Sequence, residues 1–113
     1  MLKVYGIQSC DSCRKARRWL QDSDRPHVWH DLRGDGLEAA DVQRWLDAVG
    51  PERLINRRST TWRGLDEATR EAVLDHEQAA QILNKHPTLI KRPVFEHNGA
   101  VHVGFTDSVR SKL

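Results

Sequence analysis

The sequence is poor in the features that would place a chain outside the cell or in a bilayer. It holds two cysteines in 113 residues, and these stand three positions apart, so they cannot staple a secreted fold. No apolar run approaches the ~18 residues of a membrane span. The N-terminal apolar stretch is only a strand long and meets Cys10 at once, unlike the charged and apolar regions of a secretory leader. The expectation is a cytoplasmic protein without a membrane partner, in a compartment that keeps thiols reduced. Charge of one sign is lacking too. The formal net charge is +2, too small for direct nucleic-acid binding to follow from composition. No internal repeat, low-complexity segment or linker-like composition interrupts the chain. Its length suits one domain, residues 1–113, with a single core that needs no metal or disulfide.

What is present is concentrated at Cys10-Asp11-Ser12-Cys13. These residues follow the apolar run Leu2 to Ile7 and precede the basic, helix-prone Arg14-Lys15-Ala16-Arg17-Arg18-Trp19-Leu20. Strand, thiol and helix in that order put Cys10 at a helix N-terminus. There the dipole and first-turn amides stabilise negative charge by ~0.3–1 kcal/mol, up to ~2 when partly buried. Because ~1.4 kcal/mol is about one pKa unit, a push of that size partly ionises a thiol at neutral pH, and the thiolate is the reactive form. Two blander readings compete. A pair of cysteines can be small buried hydrophobes, or half of a zinc site. Zinc needs two more ligands, and the close pair His27 and His30 falls at i and i+3 of a strand, on opposite faces. No metal is expected, and the CxxC spacing in a cytosolic chain favours redox or nucleophilic use. The basic clusters Arg14 to Arg18, Arg57, Arg58 and Arg63, and Lys91-Arg92 read by themselves as solvated faces.

Periodicity organises the rest. Leu2 to Gly6 reads as a buried strand, with Ser9 or Asp11 as cap for a helix whose apolar stripe is Ala16, Trp19 and Leu20. Pro26 ends the connection and His27 to Asp31 reads as a second strand, completing a βαβ unit. From Leu37 to about His86 the period is helical: Val42, Trp45, Leu46 and Val49, then Leu65, Ala68, Thr69, Ala72 and Val73, then Ala79, Ala80, Ile82 and Leu83. Gly50-Pro51 ends one helix and begins another. Pro93 to His97, Asn98-Gly99 and Ala100 to Gly104 form a hairpin signal with a type I′ turn. Thr106 can cap a last helix through Leu113. The fold class is α/β, a βαβ…ββα sandwich with a helical insertion over about 37–86. The four tryptophans read as packing residues, and His27, His30, His97 and His102 as structural or surface ones.

With a cysteine after the first strand and a proline opening the third, this order resembles the thioredoxin-like fold. More narrowly, the chain resembles the ArsC/Spx family over nearly its full length. The resemblance rests on Tyr5-Gly6-Ile7 leading to Cys10, on Lys15 to Leu20, and on His30-Asp31-Leu32-Arg33. It rests further on Leu54-Ile55-Asn56, Arg58 to Arg63, Ile90-Lys91-Arg92-Pro93 and Val103-Gly104-Phe105. It implies that Pro93 is a cis proline facing the active cysteine; without it, an ordinary trans proline at a strand start would be expected. It implies a glutathione-dependent thiol oxidoreductase resembling arsenate reductase, with Cys10 as nucleophile and Arg92 and Arg58 as binders of an oxyanion or glutathione. Arg57 is the alternative to Arg58. Cys13 stands open between resolving thiol and spectator. Glutathione is the implied co-substrate, with no bound cofactor; glutaredoxin is a further implied partner, and the substrate a small oxyanion or disulfide. A third family arginine, in the final hairpin, has no arginine counterpart here, which separates this chain from the arsenate pattern. The Spx side of the family implies a different class of protein, a redox-responsive regulator that binds RNA polymerase and uses CxxC as its sensor.

Overall fold

The computed structural model describes residues 1–113 and divides them into two compact units, one of Met1–Gly36 with Arg92–Leu113, the other of Leu37–Lys91. In the first unit β1 is Leu2–Gly6, α1 Asp11–Asp22, β2 His27–Asp31, β3 Val94–His97, β4 Ala100–Val103 and α7 Asp107–Arg110. The strands form one four-stranded sheet in the order β2-β1-β3-β4. β1 runs parallel to β2, from Leu2 opposite His27 to Gly6 opposite Asp31. It runs antiparallel to β3, with Val4 opposite Phe95. The central β1 is buried at every position but Lys3, and both of its edges are paired.

Leu2 and Val4 point to one side of the pleat and meet Ala16 and Leu20 of α1 and Phe95 of β3 in the core. Trp19, Trp29, Phe105, Val109 and Leu113 pack around that cluster. Each fully buried large aliphatic or aromatic side chain contributes ~1.5–3 kcal/mol. The hairpin turn is of the kind its sequence dictates: Asn98 and Gly99 have φ of 52° and 78°, the left-handed pair that a type I′ turn needs.

The second unit is helical: α2 Ala39–Val49, α3 Pro51–Leu54, α4 Thr60–Gly64, α5 Glu67–Val73, α6 His76–Lys85 and a 3-10 turn at Pro87–Leu89. Gly50, at φ 81°, ends α2, and Pro51 opens α3, because glycine tolerates that backbone and proline suits a first helical position. Ser59, Asp66 and Asp75 cap α4, α5 and α6 by accepting from the backbone N–H groups of Trp62, Thr69 and Glu77. α2 and α5 both pack on α6, and Val42, Trp45, Leu46, Val73, Ala79 and Leu83 are all fully buried. No helix of either unit is long and apolar enough to cross a membrane.

The structure departs from the sequence reading in four places. The helical block continues through the 3-10 turn to Lys91, because Leu89 and Ile90 are buried and the Lys91 N–H donates to the Leu54 carbonyl at 2.7 Å. The short α4 was not anticipated; it is held by its Ser59 cap rather than by an apolar period. Neither Ser9 nor Asp11 caps α1, since the N-cap position belongs to Cys10, in extended backbone at φ −78° and ψ 127°. The final helix stops at Arg110 rather than Leu113.

Candidate active site

Cys10 stands where β1 turns into α1. The loop is closed by the Cys10 N–H donating to the Ile7 carbonyl at 3.0 Å, and the Cys10 carbonyl accepts from Arg14 N–H at 3.0 Å as the helix starts. Both cysteines are free thiols; Cys10 is half-buried and Cys13 buried. Their spacing puts Cys13 on the inward stripe of α1 together with Ala16 and Leu20. Gly6 is what lets it sit there. A Cβ at position 6 would collide with Cys13 Sγ and lie 2.9 Å from Trp29 Cη2, so the end of β1 must be bare for the first turn of α1 to pack against it.

The two thiols have opposite electrostatics. Burial pushes the Cys10 thiol up, but the backbone N–H and the S–H of Cys13, then the hydrogen bond and charge of Arg92, together bring it below its ordinary value of 9.0. No side-chain hydrogen bond from Cys10 completes a conventional cap; the first-turn amide acts by favouring the charged form of the sulfur. Cys13 is pushed up to about 12, chiefly by burial, against the backbone contact with Ile7, with the neighbouring Cys10 charge and hydrogen bond adding to the rise. One proton therefore stays on Cys13 and is offered to the Cys10 sulfur, and Cys10 is the group that ionises.

Arg92 reaches this place from the far end of the insertion. The Arg92–Pro93 peptide bond is cis, as the resemblance implies for Pro93 and as an ordinary strand start would not have. Pro93 is buried, and its carbonyl accepts from the Gly104 N–H at 2.8 Å, tying the entry of β3 to the end of β4. The structure thus brings together Cys10, Cys13, Arg92 and Pro93 in the sheet unit. Arg58 and Arg57 lie in the helical unit, both exposed. The Arg58 N–H donates to Asn56 Oδ1 at 3.1 Å, and the Arg57 guanidinium lies 5.8 Å from the Trp62 ring centroid.

Asp31 was missed as a site residue by the sequence reading. It ends β2 opposite Gly6. Its carboxylate accepts from the N–H groups of Gln8 at 3.3 Å, Arg33 at 2.8 Å and Gly34 at 3.0 Å, so it ties the segment leading into Cys10 to the turn after β2. A short polar residue at a strand end followed by Leu32-Arg33-Gly34 is the one signal available, and it is a turn signal.

A thiol at the start of the first helix of a βαβ unit, with an arginine and a cis proline at the entry to the third strand, places the chain in the thioredoxin-like class. The match is narrower than the class. The ArsC family model matches residues 5–112, and the chain belongs to the ArsC family. An uncharacterized protein of Haemophilus influenzae is 42% identical over 107 residues, covering 95% of this chain and 93% of that one. The global transcriptional regulator Spx of Bacillus subtilis is 28% identical over 116 residues, covering 100% of this chain and 87% of its own. Among solved structures, the YffB (PA3664) protein superposes with a TM-score of 0.90 at 36% identity, covering 99% of this chain and 97% of that one. An arsenate reductase (ArsC) related protein of Brucella melitensis superposes with a TM-score of 0.78 at 38% identity, covering 98% and 92%.

Proposed function

We propose that the protein is a glutathione-dependent thiol oxidoreductase of the cytoplasm, with the Cys10 thiolate as nucleophile. The observation that carries this reading is the pairing of a half-exposed Cys10, lowered by Cys13 and Arg92 against its own burial, with a Cys13 that holds its proton. The Cys10 thiolate attacks one sulfur of a disulfide, the S–S bond breaks, and the other sulfur leaves as a thiolate, so that Cys10 ends in a mixed disulfide. A glutathione thiolate then attacks the partner sulfur of that mixed disulfide and Cys10 departs as the thiolate it began as.

Cys13 is ill suited to the second step. Burial is the largest cause of its raised pKa, and burial persists when the Cys10 charge is gone, which favours an external thiol as resolver. Arg92 serves as the fixed cation beside the reacting sulfur, and an arginine offers two parallel donors to a carboxylate or oxyanion. Pro93 shapes the entry to β3 beside it. The family resemblance adds Arg58 as a second anion binder, and the Arg57 contact with Trp62 favours Arg58 over Arg57 for that part. A small disulfide is the preferred substrate class, a small oxyanion the other, and glutaredoxin a further partner for the reduction of the adduct. The test is intact mass of the reduced protein after exposure to oxidised glutathione, with peptide mapping. A glutathione adduct on Cys10 is expected, and Cys10→Ser should abolish it together with any glutathione-coupled turnover.

A second reading has its own support. Similarity over the whole of this chain, and 87% of the other, to a protein named global transcriptional regulator Spx, together with the CxxC spacing, favours a redox-responsive regulator that binds RNA polymerase. It expects an internal Cys10–Cys13 disulfide under the same oxidation. It also expects polymerase to be retained by the protein in one redox state; absence of binding in both states would remove it.

A further inference from the structure

Along the segment that leads into Cys10, within the sheet unit, lies an open cleft of about 570 Å³ lined among others by Gln8, Ser9, Arg14, Asp31 and Arg33. Its walls are fixed by hydrogen bonds. The Asp31 carboxylate holds the Gln8, Arg33 and Gly34 N–H groups, while Arg14 donates from Nε to the Gln8 carbonyl and from Nη2 to the Ser9 carbonyl, each at 3.4 Å. The Gly34 N–H first, and those of Arg33 and Gln8 after it, keep the Asp31 carboxyl below the usual carboxylate range, with the Arg33 charge adding to the effect; the lining thus carries one carboxylate and two guanidinium groups, of which that of Arg14 also lies 3.8 Å from Asp11.

That charge pattern selects a class of ligand. A bare oxyanion would be drawn by Arg14 and Arg33 but repelled by Asp31, and a simple amine would meet the reverse. A group bearing an ammonium and a carboxylate on one carbon satisfies both. The lining segment Gln8-Ser9 runs directly into Cys10, so a ligand whose sulfur lies at Cys10 can place its next residue here; an extended tripeptide spans about 10 Å.

We propose that this cleft is the subsite for the α-amino-carboxylate end of the thiol co-substrate, the γ-glutamyl group of glutathione, with Asp31 receiving the ammonium and Arg33 and Arg14 the carboxylate. This rests on the glutathione reading above and assigns to it the residues that tell glutathione from other thiols. Charge-assisted hydrogen bonds of this kind contribute enough to change a rate about tenfold each.

The experiment measures the rate at which the reduced protein forms a mixed disulfide on Cys10 with three probes: oxidised glutathione, its des-amino analogue, in which glutaryl replaces each γ-glutamyl group, and bis(2-hydroxyethyl) disulfide. In the unmodified protein oxidised glutathione should react about tenfold faster than the des-amino form. Asp31→Asn, which removes the charge and keeps one of the two oxygens that the Gln8, Arg33 and Gly34 N–H groups share, should bring that ratio close to one. Arg33→Ala should lower the ratio of the oxidised-glutathione rate to the hydroxyethyl-disulfide rate about tenfold. A des-amino ratio of one in the unmodified protein, or ratios that neither variant changes, would overturn the subsite while leaving Cys10 as a thiol nucleophile. Failure of Cys10 to form a disulfide with any probe would overturn the reading on which the subsite rests.

Discussion

The Cys13 thiol donates its hydrogen to the Cys10 sulfur, and the pair divides one negative charge unequally, lowering Cys10 and pushing Cys13 up to about 12. In the native protein one cysteine should therefore be reactive and one silent. Iodoacetamide near neutral pH should add one equivalent, at Cys10 by peptide mapping, and a second only after unfolding. The pH profile of that first reaction should have its inflection below the ordinary thiol value. Two equivalents added at equal rates would contradict the asymmetry.

Replacing Arg92 tests the cation beside the thiolate. Arg92→Ala removes a charge-assisted hydrogen bond, a class of interaction that contributes ~1.5–3 kcal/mol. The rate of Cys10 modification near neutral pH should fall roughly ten- to hundredfold, and its inflection should move up. Arg92→Lys should recover part of the loss, because it restores the charge without the planar fork.

Stability should depend on alkaline pH in a way that belongs to Cys13. Its folded value is raised, so its neutral thiol favours the native state fully below the unfolded value near 9.0 and progressively less as pH rises toward about 12. Over that window the unfolded chain binds fewer protons, and unfolding free energy should fall by up to ~1.4 kcal/mol per pH unit. Cys10 has the opposite sign: its contribution is present above the unfolded value and is lost as pH falls through its lowered folded one. Urea titrations across pH 7.5–10.5 (about three units, spanning the ordinary thiol range) should show the alkaline decline, and Cys13→Ala should flatten it.

Gly6→Ala puts a methyl group into the space held by Cys13 Sγ and Trp29. Overpacking of this kind costs ~1–3 kcal/mol, and here it also displaces the donor of the Cys10 hydrogen bond. Both stability and Cys10 reactivity should drop. Adding Cys13→Ala should relieve part of the stability cost, a non-additivity measurable in a double-mutant cycle.

Much of this architecture is written locally. Leu2–Gly6 and His27–Asp31 alternate or cluster apolar residues between turn signals, Asn98-Gly99 fixes its own turn, and Gly50-Pro51 marks a helix end and a helix start, so these elements were legible one at a time. The Thr60–Gly64 helix was not, because five residues give no period and only the Ser59 cap announces it. The N-cap of α1 was misread for a related reason: Ser9 and Asp11 carry good capping oxygens, but the turn closed by Cys10 N–H on Ile7 gives the position to the cysteine. Cys10 itself was legible from the strand, thiol and helix order. Arg92 came through the family motif alone, and Asp31 and Gly6 stayed hidden as site residues because their parts depend on contacts across the sheet rather than on neighbours in sequence.

The place of Arg92, immediately after the Leu37–Lys91 unit, has a consequence for the chain as it is being made. Synthesis proceeds from the N-terminus, and β1, α1 and β2 emerge first with their short-range pairing intact. The second edge of β1 has no partner until Val94 to Glu96 arrive, and open strand edges invite association with other chains. Cys10 is then also without the hydrogen bond and charge of Arg92, the smaller of the influences that lower its pKa. The segment that brings Arg92 to Cys10 is thus also the one that closes the open edge of β1.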